Sequence, residues 1–266
     1  MSKSNRAVPA AERRARILKR IEESGGVTLG EVARFHSISP LTAHRDLEHL
    51  AHDGLIERVR GGARALPSPR ERGIHSTAWQ HRIEQAPEAK LAIARHAAAT
   101  VSPGSTAFLD SSSTALALAQ ALMHDPPFAL TVVTNSPMIA AGACGDPVHV
   151  VVCPGELDHA MRAITGRWTV DFIARLRFDV AFVSGAGLTL DAGLTTSRGP
   201  ISDVLNAARS VAAHTVALVD STKFGRASLV SIAPATDFDL IISDSGLSEP
   251  TVSSFRAAGA SLTVAQ

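Results

Sequence analysis

The chain has 266 residues, 45% of them hydrophobic and 19% charged, with a formal net charge of +1. That composition supplies a buried core and argues against disorder. No apolar run approaches the roughly 18 residues of a membrane span, and the N-terminal MSKSNRAVPAAERRARIL is charged where a signal peptide would be apolar. Cys144 and Cys153 are too few for a disulfide framework, so a soluble protein of the reducing cytoplasm is expected, with no membrane partner.

The length favours a small unit joined to a larger one. The near-neutral total conceals an asymmetry: residues 1–72 hold 14 Lys+Arg against 9 Asp+Glu, whereas residues 73–266 hold 12 against 16. A polyanion-binding domain over residues 10–66 is expected, then a linker over 67–78 that includes PSPRERG, then a second domain over 79–266.

Glu12 to Ser24 reads as a helix with Ile17, Leu18 and Ile21 on one side, stopped by Gly25-Gly26. Thr28 and Glu31 have capping-box spacing for a second helix whose Leu29, Val32 and Ala33 face inward. Ser39 suits an N-cap and Pro40 the first position of a third helix, because the N–H that proline lacks would be unpaired there. At 3.6 residues per turn Ala43, Leu47, Leu50 and Ala51 cluster, and Thr42, Arg45, His49 and His52 fall opposite them. The N-terminal end of such a helix is what a helix-turn-helix presents to base edges, so Ser39, Leu41, Thr42, His44, Arg45 and His49 are the candidate DNA contacts. After Asp53-Gly54, Ile56 and Val59 alternate with Glu57, Arg58 and Arg60 before a turn at Gly61-Gly62. This predicts a two-stranded wing that lays Arg58 and Arg60 on phosphates. The four histidines between residues 36 and 52 lack the spacing and partner ligands of a metal site, and no metal is assigned.

Thr42-Ala43-His44-Arg45-Asp46-Leu47, Asp53-Gly54-Leu55-Ile56 and Arg60-Gly61-Gly62-Ala63 together resemble the DNA-binding domain of DeoR-type bacterial transcriptional regulators. Where that family usually has two adjacent arginines this chain has His44-Arg45, which implies an operator differing from the family pattern.

Beyond the linker, Pro87 opens a helix running toward Ala99. Five β-rich runs then end in small or polar residues: TAFLD with SSST, LTVVTNS, VHVVVCPG, DVAFVSGAG and TVALVDSTK. Helical stretches at Ala115–Met123, Pro137–Ala143 and Ile201–Ala213 separate them, which predicts an α/β domain with a mostly parallel sheet. Ligands of open α/β sheets sit beyond the carboxyl ends of the strands, so the five ends are expected to share one polar mouth. Its candidate effector-binding residues are Asp110, Ser111, Ser112, Ser113 and Thr114 on the first strand end, then Thr134, Asn135 and Ser136 on the second. Gly155, Gly185 and Lys223 complete the set. The hydroxyl tetrad before a helix is equipped to hold a phosphate or another anion.

The order of these segments also resembles the DeoR-type sensor domain, which is similar in fold to ribose-5-phosphate isomerase and implies a phosphorylated sugar or related effector. Leu109-Asp110, Val133-Thr134-Asn135-Ser136, Pro154-Gly155, Gly193-Leu194-Thr195-Thr196, Asp220 to Gly225 and Ile242-Ser243-Asp244 carry that likeness. The chain departs from the pattern where the family tends to place a glutamate and a lysine, since Asp203 and Leu205 stand there. A phosphate would therefore depend on Lys223, on Arg162 or Arg198, or on uncharged donors.

The resulting expectation is a DNA-binding repressor of carbohydrate metabolism, controlled by a small sugar or sugar phosphate. It acts on double-stranded operator DNA as a homo-oligomer, because one short helix reads few base pairs. The alternative is an isomerase-like enzyme with a fused DNA-binding domain, using Asp110 or Asp220 as base and Lys223 as electrophile. No cofactor is expected: Gly185-Ala186-Gly187 lacks the third glycine of a dinucleotide fingerprint, Leu190 standing in its place.

Overall fold

The computed structural model describes residues 10–52, 56–65, 77–124, 128–143 and 145–266. They fall into two compact units, one up to residue 73 and one from residue 74. No helix among them is long and apolar enough to cross a membrane.

The first unit runs α1 (Ala10–Ser24), β1 (Gly26–Thr28), α2 (Leu29–Phe35), α3 (Pro40–His52), β2 (Ile56–Val59) and β3 (Gly62–Ala65). Gly25 turns the chain out of α1 at φ 78°, a backbone that a side chain rarely adopts. The capping box forms as expected: Glu31 N donates to Thr28 Oγ1 at 3.2 Å and Thr28 N to Glu31 Oε2 at 2.7 Å. Ile17 and Ile21 of α1 meet Val32 and Ala33 of α2 and Ala43, Leu47 and Leu50 of α3 in one core. The wing differs from the expectation by a strand. Its sheet is three-stranded and antiparallel in the order β1-β3-β2, with Val27 opposite Ala63. A Cβ on Gly62 would lie 2.1 Å from the Val27 carbonyl oxygen, so the close approach of β1 requires that glycine. The expected turn at Asp53-Gly54 and linker residues 67–76 lie outside the described residues.

The second unit opens with α4 (Thr77–Glu84), so residues 77 and 78, expected in the linker, are helical. There follow α5 (Pro87–Ala98), β4 (Thr106–Leu109), α6 (Ser113–His124), β5 (Leu130–Thr134), α7 (Pro137–Ala141) and β6 (Val148–Val152). A short hairpin, β7 (Glu156–Asp158) and β8 (Ala163–Thr165), leads to α8 (Arg167–Ile173) and β9 (Phe178–Val183). Next come β10 (Gly187–Thr189), β11 (Gly193–Thr196), α9 (Gly199–Ser210), β12 (Ala212–Leu218) and β13 (Val230–Ala233). The chain finishes with β14 (Leu240–Asp244), α10 (Glu249–Ala257) and β15 (Leu262–Ala265). The helix expected through Ala213 therefore stops earlier, and Ala212 already begins a strand.

Seven of these strands form one parallel sheet in the order β15-β14-β12-β9-β4-β5-β6. Both faces are covered. Ala107 and Leu109 of β4 pack with Ile93, Leu118 and Ile139 from α5, α6 and α7. Phe108 points the other way, into a core with Ile173, Leu205 and Val252 from α8, α9 and α10. Burial on both faces is why the strands read as continuous apolar runs instead of alternating. Cys153 sits in the second of these cores as a buried thiol, pushed up to about 12 by that burial, while Cys144 lies outside the described residues.

From β4 the chain winds outward through β5 and β6, then returns to β9 on the other side of β4 and continues outward through β12 and β14. The winding reverses between β4 and β9. Helices on either side of such a reversal diverge and leave a crevice beyond the strand ends.

Candidate functional site: an exposed recognition helix and a cationic cavity

Ser39 caps α3, its Oγ accepting from Thr42 N at 3.1 Å and lying 2.8 Å from Thr42 Oγ1. The two candidate hydroxyls therefore bond each other, and Thr42 is half-buried. Arg45 and His49 are exposed, and Leu41 is 62% exposed, a large apolar side chain in water in the first turn of the helix. His44 Nδ1 stands 3.4 Å from Glu48 Oε1. On the inner side Asp46 is buried and takes a two-pronged bond from Arg13 of α1, Nε to Oδ2 at 2.6 Å and Nη2 to Oδ1 at 3.2 Å. That pair fixes α3 to α1 without touching its outer face. On the wing, Arg60 is exposed, whereas Arg58 is half-buried with its Nη1 withdrawn from water and unpartnered. Arg64, opposite Glu57 in the wing, bonds to it at 2.8 Å.

The crevice of the second unit holds a cavity of about 420 Å³. From the β4 end come Asp110, Ser111, Ser112 and Ser113, from the β9 end Ser184, Gly185 and Ala186, and from the turn after β12 Thr222 and Lys223. Asp110 is buried, and both of its oxygens are held by backbone: Ser112 N donates to Oδ1 at 2.9 Å and Ser184 N to Oδ2 at 2.8 Å. Burial pushes its carboxyl above the usual carboxylate range, against the pull of those bonds and of Lys223. Lys223 Nζ donates to Ser184 Oγ at 3.3 Å and lies 3.6 Å from Asp220 Oδ2. Burial draws its ammonium below the ordinary lysine value, opposed by Asp220 and Asp110. Ser112 Oγ accepts from Ala115 N at 3.0 Å, while the N–H groups of Ser113 and Thr114 begin α6 with no acceptor inside the helix. A Cβ on Gly185 would fall 2.6 Å from the Thr195 carbonyl oxygen, so only glycine lets the β9 end pass this close to β11.

Five expected effector contacts do not line the cavity. The reason is topological: β5 and β6 lie on the far side of β4 from the reversal. Thr134 Oγ1 instead donates to Leu109 O at 2.7 Å, Asn135 Nδ2 donates to Ile164 O at 3.0 Å, and Ser136 Oγ caps α7 by accepting from Ile139 N at 3.3 Å. Thr114 is fully buried inside α6. Gly155 packs against α8, where a Cβ would meet Thr169 Oγ1 at 2.1 Å. Strand ends that looked equivalent in sequence thus divide into three that form a mouth and two that close the fold.

The cavity's remaining wall was not legible. His81, Arg82 and Gln85 approach it from α4 and the residue beyond. Arg82 donates through Nη2 to Met161 O at 3.3 Å and through Nη1 to Met161 Sδ at 3.5 Å, and its Nε is buried without a partner. Burial lowers its pKa, opposed by Asp110 and Asp158. Lys90 closes the end of α4 by donating to Arg82 O at 2.8 Å and to Gln85 O. Neither alternative arginine lines the cavity: Arg198 pairs with Asp158 at 3.3 Å, and Arg162 is buried at φ 54° with Nε and Nη2 unpartnered. The Gly185-Ala186-Gly187 segment serves packing, since a Cβ on Gly187 would lie 2.2 Å from Arg226 O.

A winged helix-turn-helix with an exposed recognition face, joined to an α/β unit with a ligand-sized cavity, defines a DNA-binding regulator with a sensor domain. Comparison with known proteins agrees. Residues 13–68 match the DeoR-like helix-turn-helix domain and residues 85–245 the DeoR C terminal sensor domain. The HTH-type transcriptional regulator GolR of Listeria innocua is 31% identical over 96% of this chain and 98% of its own. The glycerol-3-phosphate regulon repressor of Escherichia coli is 31% identical over 86% of this chain and 88% of its own. A ribose 5-phosphate isomerase A from Methanocaldococcus jannaschii overlaps 52% of this chain and 54% of its own at TM-score 0.39 and 18% identity, too distant to bear on activity. The chain belongs to the DeoR family of transcriptional regulators.

Proposed function

We propose that this regulator is a repressor of carbohydrate metabolism whose operator is read by Arg45 with Thr42, His44 and His49, flanked by Ser39 and Leu41, while Arg60, with a lesser share from Arg58, holds phosphate. The cavity between the β4 and β9 ends binds a small anionic sugar derivative and changes operator affinity by about 1–3 kcal/mol. The observation that carries the reading is the charge of that cavity. Arg82, Lys90, Lys223 and Arg226 line it, with His81 beside them, against the carboxylate of Asp110, whose oxygens already accept two backbone N–H groups, and that of Asp220, 3.6 Å from Lys223. Such a surplus favours an anion. The names of two relatives, the glycerol-3-phosphate regulon repressor and a putative aga operon transcriptional repressor, fit this direction. We read the active species as a homo-oligomer, since a two-fold partner would engage a second half-site one helical turn away. A thermal-shift screen of phosphorylated sugars and sugar acids on the intact chain tests the sensor reading. A shift that is lost in Lys223→Ala supports it, and a panel without any shift removes it.

A further inference from the structure

The two edges of the parallel sheet are finished differently. At the β15 edge Ile241 N donates to Ser261 O at 2.7 Å, so the next carbonyl, that of Leu262, turns away from β14; Arg256 Nη2 covers it at 2.9 Å. The β6 edge has no such cover among the described residues. Leu130 N donates to Pro147 O at 3.3 Å and Cys153 N to Thr134 O at 2.9 Å, so the odd-numbered residues of β6 bond to β5. Backbone groups of successive strand residues point to opposite sides. The N–H and C=O of Val150 and Val152, and the C=O of Val148, therefore point out of the sheet, where β6 stands last in the strand order.

Proteins usually guard such an edge with charge, proline or a bulge. The strand VHVVV has no Lys, Arg, Asp or Glu, and it is held in place from both faces, Val150 packing on one core and Val151 on the other. Apolar surface accompanies the open backbone. Val152 is 42% exposed, and Trp168 is 74% exposed beside Thr169, whose Oγ1 fastens α8 to the end of β6 by donating to Pro154 O at 2.8 Å. An unpaired backbone row next to exposed apolar side chains marks a contact surface.

Pro147 and Pro154 bound the edge, so a strand that pairs along it is short, extended and as free of charge as the surface it meets. β6 itself meets those conditions. We propose, building on the homo-oligomer reading above, that two copies of this chain join edge to edge through β6, antiparallel, with the two-fold at Val150. That register pairs the whole of the strand. Val150 exchanges both bonds with the partner's Val150, Val152 N–H meets the partner's Val148 C=O, and His149 stands opposite the partner's Val151. Asp146 falls opposite the partner's Pro154, so no like charges meet along the strand. The contact is isologous and closes on itself, which supplies the two-fold that a palindromic operator requires.

The test is sedimentation equilibrium of the intact chain, unaltered and as Val152→Lys and Val150→Pro, with circular dichroism to check the fold. Val152 is exposed and the Val150 N–H takes no part in the β5 ladder, so neither change removes a bond from the sheet. The unaltered chain should be dimeric, Val152→Lys should raise the dimer dissociation constant about 10-fold because it enters the seam twice, and Val150→Pro should be monomeric. Val150→Cys, in a Cys144→Ser background, should form a covalent dimer on mild oxidation, because opposed residues of a hydrogen-bonded pair lie about 5.5 Å apart, within reach of a disulfide. If Val150→Pro loses its fold, Val152→Lys and the cross-link decide. Unchanged self-association in Val152→Lys, or no cross-link, overturns the β6 contact and leaves the homo-oligomer reading standing. An unaltered chain that stays monomeric at every concentration removes both.

Discussion

The Arg82 guanidinium rests on Met161, bonded to its carbonyl oxygen and sulfur, and pairs with no carboxylate among the described residues. A desolvated cation held by neutral acceptors can still take up an anion, and Arg82 sits on the first helix of the sensor unit. Arg82→Ala should raise the effector dissociation constant about 10- to 100-fold, the loss of one charge-assisted contact of about 1.5–3 kcal/mol. Operator affinity without effector should stay the same. Calorimetric titration and DNA binding on the same preparation check both halves.

Arg45 and Arg60 should fail in different ways. Arg45→Ala is expected to cost about 1–3 kcal/mol on the operator and little on unrelated duplex. Arg60→Ala should weaken both and lower the salt slope by about one. Arg58→Ala should do less than Arg60→Ala, because part of the Arg58 guanidinium is withdrawn into the wing. Fluorescence anisotropy at several salt concentrations separates the three.

Asp46→Ala would remove the acceptor by which Arg13 ties α1 to α3 and so loosen α3 from α1. A loss of about 1.5–3 kcal/mol of stability is expected in the DNA-binding unit. The sensor unit has its own core and should keep its effector binding. Urea unfolding followed by probes placed in each unit would register the difference.

His36 should make the first unit acid-sensitive. Burial, reinforced by Arg13 and Arg16, depresses its folded pKa, and its Nε2 is buried without a partner. The unfolded chain then binds the proton more readily than the folded one. The stability that neutral His36 contributes is full above the ordinary histidine value near 6.5 and falls away as pH drops through the lower folded value. His36→Gln should flatten the slope of stability against pH between about 7 and 5.

The local elements were legible because their signals are local. Thr28 with Glu31 and Ser39 with Pro40 each contain their own hydrogen-bond logic, and five apolar runs bounded by helices leave few architectures other than a parallel sheet. Strand order is not written that way. Nothing in LTVVTNS or VHVVVCPG says that β5 and β6 lie on the far side of β4 from β9, so Thr134, Asn135, Ser136 and Gly155 looked like cavity residues beside Asp110. α4 was missed for a related reason. TAWQHRIE has no clean apolar period and follows a proline-rich stretch, yet Trp79 is buried and Arg82 lies 5.0 Å from its ring centre. Its place depends on Lys90, eight residues on, which holds the end of the helix by its carbonyls.

The most direct measurement is the affinity of the intact chain for a duplex selected from random sequence, determined with and without a saturating anionic sugar derivative from the thermal-shift screen, in the unaltered protein and in Arg45→Ala and Lys223→Ala. The account requires salt-sensitive binding that Arg45→Ala weakens about tenfold or more, and a ligand-induced change of about 5- to 150-fold that Lys223→Ala abolishes. Equal affinity in all three proteins, unmoved by the ligand, would contradict it.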